Sequence, residues 1–264
     1  MWTEGRGQNG PSTSFRLLVE YDGSRYQGWQ RQGRGQTLAG VRTVAGALDR
    51  ALHRAGVKIL NLGGAGRTDA GVHALGQVAH LHTAAPMRPA ELHGILEGGL
   101  PHDIAVPRVA VCPQGFDARR DASSRTYLYR IARRKSAFGK NHTWWPKGNL
   151  DPDILEEAWK VFAGNNSMAA FADLEEGENP RCQVFACRLD AEADMLLLRA
   201  TARFFLRRQV RRMVGAAAHC AMGAAGVGRI RADLASPTPA AALHWAERAA
   251  PAAGLYLESV EYMR

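Results

Sequence analysis

From Phe15 to Tyr21 apolar side chains alternate with the rest. Phe15, Leu17, Val19 and Tyr21 share one face and Arg16, Leu18 and Glu20 the other, the period of a strand. The run stops at the turn signal Asp22-Gly23. Val41, Val44, Leu48 and Leu52 then recur at helical spacing, with Arg42, Asp49, Arg50 and Arg54 on the wet side. Short strands are predicted over 57–62 and 77–82. In the second, Val78 and His80 face away from Gln77, Ala79 and Leu81. A helix over 88–100, an edge strand over 104–111 broken at Pro107, and a strand on which Arg125, Tyr127 and Tyr129 share a face complete the first half.

In the second half, Leu155, Ala158, Trp159 and Phe162 form the stripe of a helix over 151–162, with Gly164-Asn165-Asn166 expected as its cap. Strands over 183–191 and 195–202 turn near Glu192 to Asp194. The segment from Phe204 to Gly215 opens a helix whose apolar face is Val210, Met213, Val214, Ala217, Ala218 and Ala221. Arg208 and Arg212 are expected to point away from the core, and Arg211 to sit on the flank. A last strand runs from Leu255 through Val260 and Tyr262. Each half thus holds a strand-helix-strand arrangement, which predicts an α+β fold of two lobes facing across a cleft. The expected organisation is a flexible tail at 1–14, a lobe at 15–135, a connector at 136–150 and a second lobe at 151–264.

Composition narrows the partners. The 264 residues are 46% hydrophobic, enough for a sizeable core, and carry a net charge of +9, with 29 Arg against 5 Lys. That balance favours a polyanion, although a solvated charge face or a biased genome gives the same signal. The apolar run from Met213 to Gly228 is too short to span a bilayer, and no targeting segment precedes residue 15, so a soluble, cytoplasmic protein is expected. Four cysteines without a Cys-x-x-Cys pair argue against a zinc knuckle or a disulfide framework.

Candidate chemistry concentrates between Gly63 and His80, where Asp69 stands among glycines and Arg67 lies two residues before it. A loop of this composition is ordinarily a turn. A phosphate cradle lacks its Gly-Lys-Ser/Thr, and a metal site built from Asp69, His73, His80 and His82 has no familiar ligand spacing. The three histidines are expected to be structural. Upstream, Tyr26 to Gln32 interleaves aromatic, Gln and Arg residues that either stack on bases or tuck onto the core.

Gly66-Arg67-Thr68-Asp69-Ala70-Gly71-Val72-His73-Ala74 resembles the signature loop of the tRNA pseudouridine synthase A (TruA) family. The resemblance extends to Glu20 through Gln32, Ala118 through Tyr129, Gln209 through Gly215 and Gly254 through Leu257. Ala45, Glu97-Gly98 and Asn166-Ser167-Met168 depart from the usual pattern. The resemblance implies the pseudouridine synthase fold, two related lobes each with a mainly antiparallel sheet and helices on one side. It implies isomerisation of uridine in the anticodon arm of tRNA, at about positions 38 to 40, read by shape and phosphate contacts. A homodimer is implied too, with no cofactor or metal. Residue by residue, the resemblance implies that Asp69 is the essential catalytic residue, that Tyr127 packs on the uracil, that Arg67 fills the vacated space or holds a phosphate, that Arg211 contacts Asp69, and that Leu255 lines the uracil pocket. Two other readings stand beside this one, an RNA-binding or tRNA-chaperone protein of the same fold and a synthase acting on another RNA.

Overall fold

A computed structural model describes residues 12–30 and 42–263. Val41 of the first helical stripe, Arg31 and Gln32 of the aromatic segment, and most of the expected tail lie outside them. Along the chain run β1 (Thr13–Tyr21), α1 (Val44–Arg54), β2 (Ile59–Gly64), β3 (His73–Thr83), α2 (Pro89–Gly99), β4 (Ile104–Val111) and β5 (Ala122–Ala132). There follow α3 (Pro152–Lys160), β6 (Gly164–Ser167), β7 (Arg181–Glu192), β8 (Met195–Ala202), α4 (Gln209–Ala221), α5 (Val227–Ala235), α6 (Pro239–Glu247) and β9 (Leu255–Tyr262). The architecture is α+β. Thr13 and Ser14, read as the end of the tail, open β1.

The chain divides into two compact units, Met1–Ser123 with Leu257–Arg264, and Ser124–Tyr256. The boundaries expected from sequence follow the chain, whereas compactness follows strand pairing. It therefore assigns most of β5 and the whole of 136–150 to the second unit and the last strand, from Leu257 on, to the first.

In the first unit β1 lies between β4 and β3, antiparallel to both. Phe15, Leu17, Val19 and Tyr21 are all buried, as a period of two demands. The β1–β4 register shifts between Leu18 and Glu20, and this irregularity absorbs Pro107 on an edge strand. Thr43 caps α1 by accepting from the Gly46 N–H, and Val44, Leu48, Ala51 and Leu52 are buried. The far edge of β3 is shared. β2 pairs with Ala79–Thr83, while β9 approaches so closely farther along that a Cβ on Gly76 would lie 2.5 Å from the Glu258 carbonyl oxygen. This tertiary pairing starts β3 at His73, four residues earlier than its local alternation indicates.

The second unit is built on strands in the order β5-β8-β7-β6, with antiparallel pairing throughout. Asp151 caps α3 through the N–H groups of Asp153 and Ile154, and Leu155, Ala158, Trp159 and Phe162 are fully buried. The Trp159 indole donates to the carbonyls of Arg188 and Arg199, which face each other across β7 and β8.

Three sequence readings need correction here. Gly164-Asn165-Asn166 belongs to β6 rather than to a helix cap, although the Asn166 amide donates to the carbonyls of Phe162 and Ala163. Helix α4 begins at Gln209, not at Phe204, because Arg208 takes the left-handed conformation, φ 58°, at its N-cap. Arg212 does not point away from the core. It is 5% exposed, ion-pairs with Asp173 and donates to the Ala172 carbonyl at 3.0 Å, because a partner far away in sequence meets it inside the unit. Helices α5 and α6 are additions to the sequence reading.

Candidate active site

Asp69 sits in the loop that joins β2 to β3, where the two strands part. The ladder runs one step beyond the strand, through the Ala65 N–H to the Val78 carbonyl at 2.8 Å. Then a side chain replaces backbone. The Gln77 amide accepts from the Gly66 N–H at 3.2 Å and donates to the Gly66 carbonyl at 2.7 Å. Gln77 is fully buried, and its partner Gly66 is half-buried, so both bonds are partly screened from water.

The loop is fixed from a second direction. The Tyr21 hydroxyl bonds the Thr68 hydroxyl at 2.8 Å, the Trp29 N–H donates to the Thr68 carbonyl, and the Gly71 N–H donates to the Tyr26 carbonyl. Gly28, at φ 90°, passes so close that a Cβ would lie 2.2 Å from the Thr68 carbonyl oxygen. Asp69 is thus half-buried on a backbone held on both flanks, while Arg67 is exposed and makes no hydrogen bond or ion pair among the described residues. Of these supports, Gln77 and Thr68 escaped the sequence reading. The signal for Gln77 was present, an amide on the apolar face of a predicted strand.

All three histidines make hydrogen bonds to backbone. The His80 Nδ1 accepts from the Ala118 N–H at 2.9 Å, that of His73 accepts from the Gly23 N–H, and the His82 Nε2 bonds the Phe116 carbonyl. Asp69 does not gather with them into a ligand set. Burial pushes the His80 pKa below its ordinary value and so favours the neutral ring that this acceptor role requires.

In the second unit Tyr127 is 9% exposed on β5, edge-on to Phe205 at 5.3 Å. Arg211 is half-buried. Its Nε donates to the Ala250 carbonyl at 2.8 Å, and the Ala250 N–H donates back to the Arg211 carbonyl. Leu255 is buried at the start of β9, just after Gly254, which lies so close to the Tyr129 ring that a Cβ there would come within 2.6 Å of it. The Tyr129 hydroxyl donates to the Pro251 carbonyl at 2.7 Å. Burial holds its pKa well above the usual value, with the Arg211 charge working against that rise. The second unit therefore places the Arg211 charge and Gly254, the residue before Leu255, near Tyr129, and the first carries Asp69 and Arg67 on one loop.

The family described as tRNA pseudouridine synthase matches residues 17–120 and 158–263, and the chain belongs to it. Its relatives include proteins named tRNA pseudouridine synthase A. That of Beijerinckia indica subsp. indica is 37% identical over 252 residues, covering 94% of this chain and 93% of its own. Those of Agrobacterium fabrum and Mesorhizobium japonicum are each 35% identical over 255 residues, covering 94% of this chain and 92% and 98% of theirs. A solved Cbf5-Nop10-Gar1 complex aligns with 75% of this chain and 43% of its own at 12% identity and a TM-score of 0.32, a likeness too distant to bear on the argument.

Proposed function

We propose that the protein converts uridine to pseudouridine in the anticodon arm of tRNA, at about positions 38 to 40, reading the arm by shape and phosphate contacts. In this reaction the C1'–N1 bond breaks, the uracil turns, and a C1'–C5 bond forms. N1 gains a proton and C5 releases one to water, so no electrons are exchanged with a second reactant. A single carboxylate can serve such a sequence as nucleophile or as base. The observation that carries the reading is the loop of Asp69, whose backbone is fixed before substrate arrives by Gln77, Thr68 and the close passage of Gly28.

In this proposal Asp69 is the catalytic residue, Tyr127 packs on the uracil, Arg67 holds the vacated space or a neighbouring phosphate, Arg211 aims the carboxylate, and Leu255 lines the uracil pocket. Extruding the base costs a few kcal/mol, and aromatic stacking returns about 1–3 kcal/mol of it. A homodimer in the cytoplasm completes the picture. The four cysteines, all buried as free thiols, fit a reducing compartment.

The test is tritium release from C5-labelled uridine in unmodified tRNA by the wild type and by Asp69→Asn. Release by the wild type alone, with tRNA affinity kept by the variant, supports the assignment. Binding without release by either protein replaces the enzyme with an RNA-binding module.

A further inference from the structure

The stretch from Arg133 to Lys147 holds two arginines, three lysines and no carboxylate. Lys135, Lys140 and Lys147 are three of only five lysines in a chain with 29 arginines, so a genome's preference for arginine does not account for them. The stretch lies wholly in the second unit, between β5 and α3, and every residue from Arg133 to Asn141 is exposed. Phe138, in the middle of that run, is 89% exposed.

A lone apolar side chain on a surface is ordinary, but this one is mounted. The loop is tied at both ends. The Ala132 N–H donates to the Trp144 carbonyl at 2.7 Å, the Trp144 N–H to the Arg130 carbonyl at 3.0 Å, and the Tyr256 hydroxyl to the His142 carbonyl at 2.8 Å. Inside it, the Ser136 hydroxyl accepts from the Phe138 N–H at 3.2 Å, and the His142 N–H closes a turn on the Gly139 carbonyl, with Gly139 at φ 72°. A formed turn thus holds out an aromatic ring that would gain about 1.5–3 kcal/mol from being covered.

The charges around it fall into two groups. At the base of the loop the β7–β8 turn brings two carboxylates, Glu192 and Asp194. Asp194 is taken by Arg134 at 2.5 Å, and Arg133 donates to the Ala193 carbonyl, so both arginines serve the fold. Lys135 lies over the Trp145 ring at 5.9 Å, with its charge on the surface, and the Lys140 side chain makes no hydrogen bond or ion pair among the described residues. An apolar partner would cover the ring and leave these lysines without counter-charge. A single-stranded nucleic acid satisfies both at once, a base on the ring and phosphates on the cations.

We propose that the loop from Lys135 to Lys140 is a stacking platform for one unpaired base of the bound tRNA, with the base on Phe138 and the phosphates beside it on Lys135 and Lys140. The two lysines stand three and two residues from Phe138, so their Cα atoms lie within about 11 and 7 Å of it. The inference rests on the reading that tRNA is the substrate. It adds a contact that selects unpaired RNA and takes no part in the chemistry.

The experiment uses full-length wild type, Phe138→Ala, Phe138→Trp and Lys140→Gln, each checked by a melting curve, with unmodified tRNA. Phe138→Ala is expected to weaken tRNA binding and raise KM about tenfold while kcat falls less than about twofold, and Phe138→Trp to restore both to within about twofold. Lys140→Gln should lower the salt slope of binding by about 1. The emission that Phe138→Trp adds over the wild type should be quenched by tRNA and by oligouridine, but not by a blunt RNA duplex. Unchanged tRNA affinity in Phe138→Ala, or added emission that tRNA leaves unquenched, refutes the platform while the enzyme reading stands. So does a change in sedimentation without a change in tRNA binding, which gives the ring to a second copy of the chain. If the wild type itself binds no tRNA, the underlying reading fails instead.

Discussion

Gln77 shows how one residue can hold a site without touching substrate. Its amide bonds both polar groups of Gly66, and Gln77→Leu would strand both in a half-buried setting, at about 2 kcal/mol. The expected result is a melting temperature lower by roughly 5 °C and a larger loss in tritium release, since the loop slackens before the fold does. Gly28→Ala should act on the same loop by a different route. It imposes a side chain at φ 90° and 2.2 Å from a carbonyl oxygen, and should reduce both melting temperature and turnover.

His80 carries a pH dependence of defined sign. Burial lowers its folded pKa below 6.5; Asp117 and Asp121 oppose that shift, whereas His82 and Arg120 reinforce it. As pH falls, the unfolded chain takes up the proton first. The stability from neutral His80 is thus complete above about pH 6.5 and declines as pH drops through that value toward the folded pKa. A thermal-melting series from pH 8 to 5 should fall on the acid side, and His80→Gln should flatten the fall.

At the scale of elements, β1, α1 and α3 were legible because pattern and ends agree. Each has a buried stripe or alternation, and each helix starts at a Thr or Asp that caps it. Helices α5 and α6 were not, since their buried residues are few and set among alanines. The buried polar pair that joins them, Trp245 Nε1 to Asp233 at 2.8 Å, has no local periodicity. Only the start of α6 carries a local signal, Thr238 capping and Pro239 at the first helical position. Of the candidate site, Asp69 and its glycines were readable in one stretch of sequence. The partners that brace them come from β1, β3 and the Trp29 segment, and only strand register reveals those.

Helix α4 makes the same point through Arg212. A charge on a helix reads as solvated until its partner is known, and Asp173 is also shared with Arg208 at 3.1 Å. Arg212→Met should destabilise by about 2 kcal/mol, short of the 3–5 kcal/mol for a fully buried pair, because Asp173 is partly exposed and keeps Arg208. Chemical denaturation should show Asp173→Asn as the more severe of the two, because it leaves the buried Arg212 charge without its carboxylate.

For the whole molecule, a net charge of +9 makes affinity for tRNA a matter of counterions. Raising KCl from about 50 to 200 mM should weaken tRNA binding at least about tenfold while leaving the melting temperature nearly unchanged. A filter-binding series run beside melting curves separates the two effects.

The shared edge of β3 has a consequence for how the protein is made. The Asp69 loop leaves the ribosome early, but the strand that lies against β3 beside it follows roughly 180 residues later, on the order of ten seconds or more at ordinary elongation speeds. Throughout that interval the nascent chain holds an open strand edge next to the Asp69 loop, a template for unwanted pairing. Messages cut short before Leu257 therefore yield chains that lack the closing strand of their own first unit, and working enzyme comes only from ribosomes that have read past Tyr262.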